Sequence, residues 1–383
     1  MLAAKRNSRP PESRAASCNL LPLIMITSPR DLIGLSIRGD VLEIGPGSRP
    51  FAVAPDANVK YADRSIKGGR DKNFPELIGQ PPGVQAHYNI DLDTEGLSQL
   101  DSNSFDGLVA SHVIEHVANP IGVLAEFSRV LRDGGKLLLV VPDRTRTFDA
   151  VRLPTPFSVP LAKYRAGVTA VDEASIREFC EAIYKQPPMH PREVREWHNP
   201  VLLDATRIAL HRRRSIHVHA WSPEEFASLL VAGMPESNWP WRLDSMYFAE
   251  HLSRSQAIEF AFLLEKNPDQ HAQEQPRKFV EAWCEKVMSD AAIHPLRMLR
   301  FEEAMTRDGV DRQIATLPSL MLMARWKAEG RSDCDDQLAQ LKNELDTDRA
   351  REKKMRERGA TLLGSMSWRI ASLLGKVVGL VRG

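Results

Sequence analysis

The sequence predicts a doubly wound α/β fold, and three observations carry that prediction. Residues 31–145 alternate short apolar runs with helix-like stretches and tight turns, the rhythm of a mostly parallel sheet covered on both faces. The first apolar run, Val41-Leu42-Glu43-Ile44, leads straight into a glycine-rich turn, Gly45-Pro46-Gly47-Ser48-Arg49-Pro50. A second run, Val59-Lys60-Tyr61-Ala62, ends in Asp63. An acid about twenty residues after the turn is where a βαβ nucleotide site holds ribose hydroxyls.

The turn after the first strand lets backbone lie directly against a small ligand, because glycine has no Cβ to keep the ligand away. A dinucleotide fingerprint needs glycine at the first, third and sixth positions of this loop. Gly45 and Gly47 satisfy the first two, but the sixth position is Pro50, and no G-x-x-x-x-G-K-[ST] occurs anywhere in the chain. An adenosine-containing cofactor without a pyrophosphate remains, and S-adenosylmethionine suits it. Glu43 fits the cationic end of that molecule and Asp63 its ribose.

The next elements follow in order. Tyr88-Asn89-Ile90-Asp91-Leu92 is a third strand end carrying an acid, Asp91. Ser104 to Ala110 reads as a buried fourth strand ending near Ser111. His112-Val113-Ile114-Glu115-His116-Val117 then opens a helix that runs through Leu124 and Phe127 to Val130-Leu131. Arg132-Asp133-Gly134-Gly135 turns into a fifth strand, Lys136 to Pro142.

With these motifs in register, the chain resembles the class I SAM-dependent methyltransferases, within them the group with an "EH" motif after strand four. The resemblance rests on Val41–Pro50, Asp63, Asp91, Asp106–His116 and Leu131–Pro142. It is strong over residues 31–145 and weaker beyond. His217 to Phe226 also resembles a segment from a bacterial branch whose members are often encoded with polysaccharide-synthesis enzymes. The resemblance implies a Rossmann-like, mostly parallel seven-stranded sheet. Its last two strands would be an antiparallel pair at Trp241–Met246 and Ile258–Leu264. It also implies S-adenosyl-L-methionine as cofactor, bound by Glu43, Gly45, Gly47, Asp63, Asp91 and Ser111. The acceptor would be a small molecule or a glycan, with a role in bacterial cell-surface polysaccharide biosynthesis. A methyltransferase-like scaffold without catalysis is the alternative reading. A nucleotide-dependent oxidoreductase is disfavoured by Pro50.

Methyl transfer from a sulfonium mainly requires alignment and screening from water. A base helps when the acceptor is a hydroxyl. His112 and His116 are the candidate catalytic bases, four apart and on one helical face if the helix has begun by His112. Helix packing is the competing reading of both, and Glu115 is read as holding the turn of that helix. His217 and His219, two apart, could share a strand face. With no further ligand at metal spacing no metal is expected, and they are read as packing or lining an acceptor pocket. Ser222, Pro223 and Glu225 mark a helix start there.

Composition bounds the rest. The 383 residues allow about two domains. A net charge of +1 gives no reason to expect a nucleic-acid partner. Four cysteines, Cys18, Cys180, Cys284 and Cys334, lie far apart without a C-x-x-C pair, which suits a reducing cytoplasm. Residues 1–30 form a leading segment, Arg-, Ser- and Pro-rich over 1–17 and expected to be disordered. Residues 31–266 form the methyltransferase-like domain, with 146–215 as an acceptor-lid insertion or, alternatively, a helical excursion. Residues 267–330 are helical, 331–358 a short, charged, solvated helix. Residues 359–383 are a basic amphipathic tail with Trp368, Arg369, Lys376 and Arg382, suited to the inner face of an anionic membrane or to a protein surface.

Overall fold

The computed structural model describes residues 28–64, 83–184, 205–237, 239–253, 257–267 and 274–364. The expected disorder of the first residues, the prolines Pro187, Pro188, Pro191 and Pro200, and most of the basic tail fall outside them. Seven strands form one sheet: β1 Asp40–Ile44, β2 Asn58–Asp63, β3 Tyr88–Asn89, β4 Phe105–Ser111, β5 Leu131–Pro142, β6 Trp241–Tyr247 and β7 Glu259–Lys266. Their order is β3-β2-β1-β4-β5-β7-β6. Strands β1 to β5 run parallel, while β7 lies antiparallel between β5 and β6. The order reverses between β1 and β4, so a crevice opens beyond the tips of these two strands, where ligands of open α/β sheets sit.

Eleven helices are described: α1 Pro29–Gly34, α2 Pro120–Val130, α3 Ser158–Arg165, α4 Glu173–Tyr184, α5 Ala205–Arg214, α6 Pro223–Ser237, α7 Gln275–Ser289, α8 Leu296–Arg307, α9 Arg312–Ala315, α10 Leu317–Ala328 and α11 Cys334–Gly364. The two sheet faces are covered unequally. Leu42, Ile44, Leu108, Ala110, Leu137 and Leu139 pack with α2, α6 and the C-terminal helices in one large core. Their neighbours Val41, Val109, Leu138 and Val140 point to the other face, against Ile33, Ile37 and Phe51. This alternation is the period of two that a strand buried on both sides requires.

The strict strand–helix alternation expected over 31–145 is not met. Residues 45–57 and 91–104 are loops and turns, without a helix. Pro46, Pro50 and Pro55 explain the first gap, since each removes an N–H donor and blocks the preceding turn. Nor does a helix start at His112. That residue is left-handed, with φ 55°. Only a three-residue 3-10 turn, Ile114–His116, follows it. Helix α2 begins at Pro120, where the Asn119 side chain accepts from Gly122 N–H and Pro120 takes the first position.

Two further expectations change. The leading segment is ordered from Ser28, which caps α1. Arg30 reaches Glu259 and stacks over Phe51. The charged segment is not a short solvated helix but the 31-residue α11. Leu341 and Leu345 are buried in the main core, and Asp348, which breaks the heptad, pairs with Arg300 at 2.5 Å. The C-terminal helices share the sheet's core through Trp283, Phe301 and Trp326. No helix among the described residues is long and apolar enough to cross a membrane.

Candidate functional site

A crevice of about 480 Å³ opens at the C-terminal tips of β1, β2 and β4. One wall is the turn after β1. Gly45 and Gly47 both have positive φ, 64° and 53°, a conformation that a side chain disfavours. Gly45 N–H donates to Ala62 O at 2.8 Å, and Val84 N–H donates to Gly47 O at 2.8 Å, so the loop is fixed from both sides. A Cβ on Gly47 would meet no heavy atom within 4 Å, so backbone is presented openly there.

The acids at the strand ends are arranged around this turn. Asp63 lines the crevice, and its Oδ1 accepts from Arg64 N–H at 2.7 Å. Burial raises its pKa, with the Arg64 contacts opposing. Asp91 also lines the crevice and lies 3.7 Å from the Arg64 guanidinium. Asp93 is a third acid on this wall, where its Oδ1 accepts from Ala118 N–H at 2.7 Å. Burial raises its pKa as well. Asp93, two residues beyond the strand-end acid Asp91, is a lining residue that the strand-end pattern does not single out.

Glu43 lies below the turn rather than on the crevice wall. It is 2% exposed. Its Oε1 accepts from Phe51 N–H at 2.8 Å, while its Oε2 has no partner among the described residues. Burial pushes its carboxyl up to about 7. Ser111 ends β4 paired with Val140 and is not among the residues lining the crevice.

The lining also includes His112, Val113 and His116, with Val113 packed beside Gly45. The left-handed turn brings both histidines to the crevice without a helix between them. His112 Nε2 lies 2.8 Å from Glu259 Oε2, and the Tyr247 hydroxyl donates to Glu259 Oε1 at 2.9 Å. Burial opposes a carboxylate at Glu259, but the hydrogen bond to His112 and the Arg30 charge hold its pKa below the usual range. Glu259 is therefore the acceptor and His112 Nε2 the donor. Burial also works against a charged His112 ring, yet Glu259 and Glu115 raise its pKa. Glu259, an acid opening the apolar run Phe260 to Leu264, was not singled out in the sequence.

Next to these histidines Glu115 is 1% exposed. His116 Nδ1 donates to Ile216 O at 2.7 Å, and desolvation lowers its pKa against the pull of Glu115. His217 packs edge-on to His116, with ring centroids 4.8 Å apart. His219 is buried and stacks on Trp221 at 4.8 Å, where burial holds its pKa near 3. The insertion reaches the site: Ser215 lines the crevice, and Ile176, Phe179, Cys180, Ile208, Ile216 and Val218 form their own small core beside it.

Residues 75–139 match the family described as "Methyltransferase domain". The chain is similar to a ubiquinone biosynthesis O-methyltransferase of Xanthomonas oryzae pv. oryzae, 32% identical over 77 residues, covering 18% of this chain and 32% of that protein. It thus spans about a third of the curated relatives it matches. Among solved structures it is similar to the 1,6-didemethyltoxoflavin-N1-methyltransferase of Burkholderia thailandensis, at 14% identity and TM-score 0.33, covering 62% of this chain and 77% of that one. A SAM-dependent methyltransferase from Methanosarcina mazei gives 14% identity and TM-score 0.31, covering 63% and 98%. The seven-stranded sheet with its reversed β7, the glycine turn at its switch point and the match over residues 75–139 together give this chain the Rossmann-like methyltransferase fold.

Proposed function

We propose that the protein is an S-adenosylmethionine-dependent methyltransferase whose acceptor is a hydroxyl on a small molecule or glycan. The observation that carries this reading is one crevice lined both by the Gly45–Gly47 turn with Asp63 and by the Glu259-anchored His112. The residues fit the cofactor. Gly47 leaves open space where a Cβ would project, Asp63 would hold the ribose, and Glu43, beneath the turn, would support the loop through Phe51 N–H. Asp91 and Asp93 would flank the adenosine. The cofactor, when bound, supplies an electrophilic methyl group on a sulfonium that is already a good leaving group.

The protein's own part is alignment and proton handling. With Nε2–H donated to Glu259, the neutral His112 ring keeps a lone pair on Nδ1. That nitrogen would accept the hydroxyl proton of the acceptor as the methyl is transferred. Glu259 fixes the tautomer and orientation, and Arg30 and Tyr247 fix Glu259. The curated relative's O-methyltransferase name supports an oxygen acceptor. The His217–Phe226 resemblance supports a place in cell-surface polysaccharide biosynthesis.

Calorimetry with S-adenosylmethionine and S-adenosylhomocysteine tests the reading, with Gly45→Arg as the control expected to abolish binding. Labelled cofactor incubated with fractionated cell extract then identifies the acceptor. No binding at millimolar cofactor would refute the assignment. Binding without turnover on any fraction would favour the scaffold.

A further inference from the structure

We propose that Glu115, His116 and His217 form a binding site for a divalent first-row transition-metal cation at the back of the crevice. One carboxylate oxygen and one ring nitrogen from each histidine lie within 4.8 Å of one another. Glu115 Oε1 is 3.5 Å from His116 Nε2 and 4.0 Å from His217 Nε2. These separations are long for hydrogen bonds. Atoms about 2.1 Å from a common metal lie roughly 3–3.5 Å apart, so the Glu115–His116 pair already fits, and the wider pairs require the His217 ring to close in by up to about 1 Å on binding.

The decisive feature is Glu115 itself. It is 1% exposed, and neither carboxylate oxygen has a hydrogen-bond partner among the described residues. An orphaned buried carboxylate costs several kcal/mol by order of magnitude and calls for a cation. The nearest ring nitrogens, of His116, His112 and His217, stand 3.5, 3.8 and 4.0 Å from Oε1 and give it no hydrogen bond. His116 Nδ1 is committed to Ile216 O, which can only accept. His217 Nδ1 lies 2.6 Å from Asp149 Oδ2. The Arg152 guanidinium pairs with the same carboxylate, which places Asp149 as the acceptor of His217 Nδ1–H. Arg152 donates to its other oxygen at 2.7 Å. With both Nδ1 atoms so committed, each ring turns Nε2 toward Glu115. A backbone carbonyl behind one ring and a carboxylate behind the other are the partners that orient metal-ligating histidines. His112 Nδ1, 3.8 Å from Glu115 Oε1, completes the surroundings.

Two imidazoles and one carboxylate suit zinc, cobalt, manganese or iron rather than calcium. Three protein ligands also leave coordination positions free, and His116 borders the crevice. The use of those positions to hold acceptor oxygens rests on the proposed methyl transfer; binding of the ion does not.

The test is Co²⁺ titration of chelator-stripped full-length protein, read by visible absorption and by melting temperature, with Zn²⁺ as competitor. Stoichiometric binding that zinc displaces and that raises the melting temperature is expected. Glu115→Gln and His217→Gln should each weaken binding by at least about a hundredfold. Should a variant fail to fold, Co²⁺-induced paramagnetic shifts of the His116 and His217 ring protons in the native protein serve instead. Absence of one-to-one binding at 100 μM-order cobalt (about that concentration), or unchanged affinity in both folded variants, overturns the site. So does a His217 Nε2 proton persisting at neutral pH in the presence of the ion. Metal binding can succeed where cofactor binding fails, and the reverse, so the two proposals stand or fall separately.

Discussion

His112 and Glu259 meet at 2.8 Å although 147 residues separate them in the chain. The contact exists because β7 inserts between β5 and β6 in reverse, which brings its first residue beside the tip of β4. Glu259→Ala leaves Arg30, Tyr247 and His112 without their shared acceptor. It should cost about 3 kcal/mol, the scale of breaking a buried pair. Turnover on a hydroxyl acceptor should fall by roughly 10²-fold with little change in cofactor affinity. Denaturant titration and single-turnover kinetics check both; unchanged turnover would remove Glu259 as a positioning residue.

Gly47 separates strain from site. Nothing crowds a Cβ there, but the φ of 53° remains. Gly47→Ala should lose about 1–2 kcal/mol of stability while the folded variant binds S-adenosylhomocysteine at least about tenfold more weakly. Equal affinity in calorimetry would move the cofactor elsewhere.

Glu43 gives a pH dependence of defined sign. Its carboxyl titrates near 7 in the fold against an ordinary 4.5, so the native state holds the proton more tightly. Its stability contribution is full below about pH 4.5 and is lost as the pH rises through about 7. Glu43→Gln should therefore gain in melting temperature relative to the native protein between about pH 5 and about pH 8. Parallel melting curves across that range would refute it.

Trp283 is fully buried, 4.3 Å from the Phe301 ring centroid. Because the C-terminal helices belong to the sheet's core, Trp283→Ala should destabilise the whole protein by about 3–5 kcal/mol in one cooperative transition. A separate early transition in calorimetry would instead mark the helices as an independent unit.

The basic tail is a separate proposal: contact with an anionic membrane surface. Flotation of the full chain with anionic liposomes should exceed that of a chain ending at Arg358. Equal flotation would discard it.

Much of the sheet was legible because its signals are local. Val41–Ile44, Phe105–Ser111 and Lys136–Pro142 are apolar runs bounded by glycine and acids, and Gly45 and Gly47 announce a turn by composition alone. The crevice acids were legible for the same reason, save Asp93. What escaped depends on distant partners. Glu259 reads as one acid opening an apolar strand until β7 is placed beside β5, one strand from the end of β4. His217 and Glu115 meet only through the return of the insertion. The helix expected at His112 failed because a left-handed residue and Pro120 outweigh the apolar spacing that suggested it. The charged run 331–358 reads as solvated because its partners, Arg300, Glu303 and Arg144, lie elsewhere in the chain.

Helix α11 touches more than its neighbouring helices. Glu352 reaches Arg144 at 3.3 Å, and the helix packs on the Phe148–Val151 turn, which carries Asp149, the carboxylate behind His217. Residues near position 350 therefore support the turn that positions His217. A fusion, cleavage or crosslink at that remote helix would loosen or stiffen its imidazole without touching it.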